Sequence, residues 1–235
     1  MLLRTLEPEV MDTAQEAIDY DSMDHSSVNR LFVDDLLKTA STSRFSESSA
    51  PLGFRLRVLD VGTGTAQIPI ELCQRPNNPD TEIVAIDLAA EMLKLADRNV
   101  RSAGLDDRIR LERVDAKQLP FGNGEFDWVI SNSIIHHIPE PLECLREMKR
   151  VLKPDGLLFL RDLMRPDSSD NIEEIVRTYA GHENQDQQQL FRQSLHAALT
   201  VTEMADLMES LGWPASVVAQ TSDRHWTISA FGASP

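Results

Sequence analysis

Val58-Leu59-Asp60-Val61-Gly62-Thr63-Gly64-Thr65-Ala66 is the stretch on which the fold turns. A short apolar run ends in two glycines one residue apart, and Ala66 to Gln74 then continues at helical spacing. A strand running through glycines into a helix is the opening of a βαβ unit. Such glycines let the backbone approach a ligand closely.

The same alternation continues outward. Glu82 to Ile86 reads as a second strand ending in Asp87, and Ala90 to Ala103 as a helix closed by Gly104. Arg110 to Val114 is a third strand ending in Asp115, and Phe126 to Ser131 a fourth. Glu140 to Leu152 reads as a helix stopped by Lys153-Pro154-Asp155-Gly156, and Leu157 to Leu160 as a fifth strand. Ala215 to Gln220 and His225 to Phe231 form a hairpin about Thr221 to Arg224. Strands alternating with helices predict an α/β fold: a mainly parallel, seven-stranded, Rossmann-like sheet with helices on both faces and an antiparallel last strand.

Residues 1–40 read as helical, with Val28, Leu31, Phe32, Leu36 and Leu37 at helical spacing and Ser26 or Ser27 as the expected N-cap. The serine-rich stretch Ser41 to Pro51 is a polar break. Residues 1–50 are thus expected as a helical cap with its linker, and 51–235 as the main domain. Between strands five and six, residues 165–200 form a polar, glutamine-rich helical insertion. Thr200-Val201-Thr202-Glu203 has the spacing of a capping box at the start of the next helix.

Composition limits the partners. The 235 residues are 41% hydrophobic, enough to offset the ordering entropy of a chain this long. The uncharged stretch Trp128 to Pro139 falls short of the roughly 20 apolar residues of a membrane span. Met1-Leu2-Leu3-Arg4 runs at once into Glu7, Glu9 and Asp12, unlike a secretory signal. Cys73 and Cys144 make neither a disulfide framework nor a metal-ligand spacing, so a cytoplasmic setting is expected. A net charge of −15 with no basic footprint argues against nucleic acid, and the acid is accounted for by solubility.

The chemistry lies at the strand ends. In an open α/β sheet ligands bind beyond the carboxyl ends of the strands, at the topological switch point. Here those ends carry Asp60 with Gly62, Thr63 and Gly64, then Asp87, then Asp115, then Asn132 and Ser133 followed by His136-His137. An acid ending strand two is where a ribose diol is hydrogen-bonded, so the set describes a nucleoside site. A dinucleotide fingerprint needs a third glycine where Gln67 stands, and Asp60 would repel a pyrophosphate while suiting an ammonium. A ligand with both an adenosine-like ribose and an ammonium fits better.

Five segments in register carry a resemblance. Val58 to Thr65 is similar to the first motif of class I S-adenosylmethionine-dependent methyltransferases, and Ile83-Val84-Ala85-Ile86-Asp87 with Glu91-Met92-Leu93 to their second. Val114-Asp115-Ala116 with Leu119-Pro120-Phe121 resembles the adenine-side motif, and Phe126 to Asn132 the fourth-strand motif. Val151 to Gly156 resembles the turn into strand five. The match spans about residues 55–165. The segment from Asn132 to His137 looks most like the small-molecule branch, which includes quinone-biosynthesis and sterol C-methyltransferases.

The resemblance implies S-adenosyl-L-methionine as cofactor, S-adenosyl-L-homocysteine as product and a small organic molecule as acceptor. It places Gly62, Thr63 and Gly64 along the methionine part with Asp60 near its ammonium, and Asp87 on the ribose hydroxyls with Leu88 beside the adenine. Asp115 and the Ala116 amide would meet the adenine edge, and Asn132, Tyr20 and His137 would border the cofactor. For the glycines the competing reading is an ordinary strand–helix turn, and for Asp87 and Asp115 a helix cap. His136 or His137 is the candidate catalytic base, against a reading in which one packs on the sheet and the other caps the next helix. Adjacent residues before Pro139 are expected to point different ways. His25 and His182 are substitutes, and the 165–200 insertion, with Tyr179, His182, Gln187, Gln188, Gln189, Phe191 and His196, is the expected substrate lid. No metal is expected. The alternative function is a non-catalytic, cofactor-binding pseudo-methyltransferase acting as a sensor or partner subunit.

Overall fold

The computed structural model describes residues 2–10, 12–23, 25–42, 55–76 and 78–232. The expected linker from 43 onward, and the domain boundary at 50/51, lie outside these residues. Seven strands form one sheet in the order β3-β2-β1-β4-β5-β7-β6. The chain separates into two compact units, one of residues 10–132, 143–159 and 229–235, the other of 1–9, 133–142 and 160–228.

The first unit carries β1 (Leu56–Val61), β2 (Thr81–Asp87), β3 (Ile109–Arg113) and β4 (Phe126–Asn132). β1 pairs in parallel with β2 on one side and β4 on the other, and β2 pairs in parallel with β3. Consecutive strands therefore depart in opposite directions from β1, which puts the switch point between β1 and β4. The strands are near-continuous apolar runs because both faces are covered. Val58, Leu59 and Val61 are fully buried, as are Ile83, Ala85, Ile130 and Trp128.

Helices pack on this sheet. α2 (Ser26–Ser41) contributes Phe32, Val33 and Leu36 to the core, α3 (Gln67–Gln74) Ile68 and Leu72, and α4 (Ala90–Ser102) Ala96 and Val100. α1 (Ala14–Ser22) starts with a capping box between Thr13 and Glu16, and Ala17 and Tyr20 pack with Ala89 and Met92. The N-terminal region is thus less helical than expected: residues 2–10 form no helix, and Met23 leaves α1 in an extended conformation. Neither serine caps α2, because Ser26 is already helical and His25 holds the N-cap. Gly104, at φ 68°, lies two residues beyond α4 as expected.

The expected turn at Lys153 to Gly156 is not a turn. α5 (Leu142–Val151) passes directly into β5 (Leu152–Leu163), which is far longer than the segment expected. Gly156 serves a close approach, since a Cβ there would lie 2.6 Å from Leu152 Cδ1 and 2.7 Å from the Asp127 carbonyl.

In the second unit the 165–200 insertion is two helices, α6 (Ser169–Ala180) and α7 (Gln185–Ala197), because Gly181 closes one and an Asn184–Gln187 capping box opens the next. Leu163, Ile172, Val176 and Leu195 form their core. α8 (Val201–Ser210) opens on the expected Thr200–Glu203 capping box. β6 (Val218–Gln220) is shorter than expected, since Ala215–Val217 is a 3₁₀ turn; it pairs antiparallel with β7 (His225–Phe231), and the hairpin closes as expected.

Candidate functional site

The turn after β1 is held in a left-handed conformation at Gly62 (φ 74°), Gly64 (φ 55°) and Ala66 (φ 62°). A non-glycine residue there costs roughly 1 kcal/mol, and such strain clusters at ligand sites. The turn persists because the end of β2 fastens it. Gly62 and Thr63 amides both donate to the Ile86 carbonyl at 2.9 Å, and the Gly64 amide donates to Asp87 Oδ2 at 2.8 Å.

Tyr20, Asn29, Asp60, Gly62, Thr63, Thr65, Gln67, Ile68 and Asn132 line one small cavity of about 20 Å³ at this switch point. Of the residues expected at the cofactor, the fold brings together Tyr20, Asp60, Gly62, Thr63 and Asn132 in its wall. Gly64 lies next to it under the Tyr20 ring, with Cε1 3.6 Å from where a Cβ would be. Inside, Asp60 Oδ2, Thr63 Oγ1 and Thr65 Oγ1 are buried without a hydrogen-bond partner. Burial, with the charge of Asp87 added and the nearby Thr63 hydroxyl opposing, pushes the Asp60 carboxyl up to about 7. Burial, Asp87, Asp60 and Asp21 push the Tyr20 phenol up to about 12. An anion stranded among unpartnered hydroxyls calls for a cationic donor.

Asn29, Thr65, Gln67 and Ile68 were not singled out as site residues. Asn29 Nδ2 donates to Gln67 Oε1 at 2.9 Å, while Gln67 Nε2 and Asn99 Nδ2 donate to Asp21 Oδ1. This network ties α1, α2, α3 and α4 behind the cavity. Only Thr65, inside the glycine motif, carried a signal in the sequence; the others meet through tertiary packing.

Asp87 is half-capping and half-available. Oδ1 accepts the Ala89 amide at 2.9 Å ahead of α4, Oδ2 accepts the Gly64 amide, and the Leu88 amide also bonds the carboxylate, which keeps part of its acceptor capacity. Burial raises its pKa although these amides oppose the shift. Leu88, Asp115 and Ala116 are half-buried and outside the cavity wall. The Leu88 carbonyl accepts from Arg113 at 2.9 Å, and Asp115 Oδ1 accepts the Lys117 amide at 2.9 Å.

The histidines lie in the second unit, on a 3₁₀ turn, Ile135–His137, ended by extended Ile138 ahead of Pro139. They do not point apart: the ring centroids are 4.2 Å from each other and both rings face Glu7. His136 is buried, its Nδ1 2.5 Å from Asp162 Oδ1, while Asp162 Oδ2 accepts the Ile135 amide. Burial opposes charge on His136, but Asp162 and Glu7 outweigh it and its pKa rises. Burial and the neighbouring His136 press His137 down to about 3. Burial raises Glu7. Neither histidine lines the Asp60 cavity.

Glu7 and Asp162 had not been read from the sequence. Asp162 carried a signal, an acid near the carboxyl end of a strand like Asp60 and Asp87; Glu7 carried none. Glu7 is placed by Arg4, which donates to the carbonyls of Ala197 (2.7 Å), Pro139 (2.9 Å), Ile138 (2.9 Å) and His136 (3.2 Å). The residues expected in the lid are mostly engaged locally. Gln187 caps α7, Gln188 donates to the Glu183 carbonyl, Gln189 accepts from Arg192, and Tyr179 donates to Asp223.

A family model described as a methyltransferase domain matches residues 54–212. A demethylmenaquinone methyltransferase of Porphyromonas gingivalis is 31% identical over 166 residues, 66% of this chain and 67% of that protein. One from Geobacillus kaustophilus is 34% identical over 110 residues, 47% of this chain and 46% of that protein. The chain thus spans about half the length of most of the curated relatives it matches. A solved S-adenosyl-L-methionine-dependent methyltransferase of Aquifex aeolicus superposes with a TM-score of 0.63 at 19% identity, covering 94% of this chain and 99% of that one.

Proposed function

Since the chain belongs to the methyltransferase-domain family, the class I S-adenosylmethionine-dependent fold read from its motifs, we propose that it transfers a methyl group from S-adenosyl-L-methionine to a small organic acceptor. The observation that carries this reading is the buried Asp60 Oδ2 without a partner, beside the Thr63 and Thr65 hydroxyls in the same condition. An α-ammonium group satisfies all three, and the cofactor's amino-acid end provides one. The residues therefore fit the cofactor.

When bound, the cofactor supplies a methyl already activated on a sulfonium. What remains for the protein is alignment, which by itself is worth up to roughly 10 kcal/mol of barrier. In this reading Asp60 takes the ammonium, and Gly62, Thr63 and Gly64 carry the methionine part. Asp87 offers its remaining lone pairs to the ribose hydroxyls. Leu88, Asp115 and Ala116 hold the adenine, and Asn132 borders the cofactor from the end of β4. Tyr20 excludes water from above Gly64. Alignment is the contribution this reading assigns to the protein. His136, whose basicity Asp162 raises, and His137, whose basicity burial lowers, stay as the candidate bases, and turnover of their alanine variants decides between a base and alignment alone.

The similarity to demethylmenaquinone methyltransferases makes quinones the first acceptors to test. A cytoplasmic setting is part of the proposal, as is the absence of nucleic acid among the partners. Its support is that no described helix is long and apolar enough to cross a membrane, that Cys73 and Cys144 form no disulfide, and that net charge is −15. The test is incubation with methyl-labelled cofactor, a metabolite extract and a quinone panel. Label in a small acceptor is the expected result. Tight S-adenosylhomocysteine binding with no transfer to any acceptor would replace the enzyme by a binding module.

A further inference from the structure

We propose that Glu7, His136 and His137 form a binding site for a divalent transition-metal cation of the zinc type. Glu7 Oε1, a His136 ring nitrogen and a His137 ring nitrogen lie within 4.8 Å of one another. The hydrogen bonds around them determine which atoms carry lone pairs. His136 Nδ1 is used by Asp162 at 2.5 Å, which leaves Nε2 as the acceptor of a neutral ring. The His137 ring is bonded to the Pro8 carbonyl, and its Nδ1 has no hydrogen-bond partner, so Nε2 is the donor and Nδ1 carries the lone pair.

Both nitrogens lie close to one carboxylate oxygen. Glu7 Oε1 is 3.5 Å from His136 Nε2 and 3.1 Å from His137 Nδ1, and it too lacks a hydrogen-bond partner. The Glu7 side chain is only 7% exposed, and its other oxygen is held by the Ser194 hydroxyl at 3.1 Å. With both histidines neutral, three acceptors this close without a hydrogen bond among them repel one another, and a cation at their centre reverses the sign. Ligands about 2.0–2.1 Å from a tetrahedral zinc stand roughly 3.3–3.4 Å apart, which the two measured separations bracket.

The surroundings have the form of a metal site. Asp162 on His136 and the Pro8 carbonyl on His137 are the outer partners that orient metal-bound imidazoles. Two imidazoles and one carboxylate suit zinc or ferrous iron rather than magnesium or calcium, which prefer all-oxygen shells. With the histidines neutral, the carboxylates of Glu7 and Asp162 exceed the single charge of Arg4 at the cluster. The inference is independent of the methyl-transfer reading.

The experiment uses the full chain, stripped with chelator and titrated with Zn²⁺ by calorimetry, with Co²⁺ as a spectroscopic probe. Expected are one bound ion per chain with a Kd near or below ~1 μM, and visible Co²⁺ absorption of a nitrogen–oxygen site. Glu7→Gln, His137→Ala and Asp162→Asn should each weaken binding by roughly 10- to 100-fold, while His182→Ala, on an exposed side chain, leaves it unchanged. Circular dichroism confirms that each variant is folded, and the isosteric Glu7→Gln serves if His137→Ala is not. Absence of stoichiometric binding overturns the site, since a proton then fills the gap; so does binding that Glu7→Gln and His137→Ala leave intact.

Discussion

Asp87 Oδ2 accepts the Gly64 amide at 2.8 Å, so the end of strand two and the glycine turn after strand one are a single structural piece. The acid expected at a ribose is also the clamp that holds the left-handed turn beneath Tyr20.

Asp87→Ala therefore removes a charge-assisted bond to the turn together with the proposed ribose contacts, each worth roughly 1.5–3 kcal/mol. Calorimetry with S-adenosylhomocysteine should show at least a tenfold loss of affinity in a folded protein. Unchanged affinity would take Asp87 out of the site. Asp115→Ala, at a half-exposed carboxylate, should cost less.

Asp60 makes stability depend on pH. Its carboxyl titrates near 3.8 in the unfolded chain and near 7 in the fold, so the folded state binds the proton more tightly. Its contribution is whole below about pH 4, is lost as pH rises towards 7, and is level above that, at most about 4 kcal/mol. Asp60→Asn should raise the cofactor-free unfolding temperature at pH 8, with little effect at pH 4. Added S-adenosylhomocysteine should stabilise the wild type more than the variant. A variant less stable than wild type at pH 8 without ligand would contradict the account.

Gly156 and Gly104 separate steric need from conformational need. Gly156→Ala drives a Cβ into Leu152 and the Asp127 carbonyl and should cost roughly 1–3 kcal/mol in urea unfolding. Gly104→Ala meets nothing within 4 Å but sits at φ +68°, so it should cost about 1 kcal/mol. The reverse order of the two would show that the strand shifts freely at residue 156.

Asp162→Asn breaks a buried pair and should destabilise the metal-free protein by roughly 3–5 kcal/mol. The window follows from the two shifts. Burial opposes ionisation of Asp162, but His136 and the Leu163 amide lower its pKa, so its stabilisation is present above about pH 4 and lost on acidification. His136 is raised, so its stabilisation is complete below about pH 6.5 and lost as pH rises through its folded value. The difference between wild type and variant should peak near pH 5–6 in denaturant titrations. A difference that is constant from pH 5 to pH 9 would mean that the histidine is never charged.

What the sequence by itself determined is the local grammar of the sheet. Parallel strands buried on both faces must be apolar runs, and the turn after β1 must carry glycine where φ is positive. Asp60, Gly62, Thr63, Gly64 and Asp87 were legible for that reason, as were the capping box at Thr200 and the hairpin before β7. The tertiary structure alone decided what long-range packing decides. Tyr20 covers Gly64 because α1 packs beside α4, and Asn29 reaches Gln67 because α2 lies against α3. Lys153 to Gly156 runs as strand because the sheet supplies hydrogen bonds that a local turn signal cannot foresee. Glu7 meets His136 and His137 only because Arg4 fastens the N-terminal segment to four carbonyls 132 or more residues away. Spacing along the chain records periodicity within one element, whereas a buried cluster of charges is assembled from elements with no period in common.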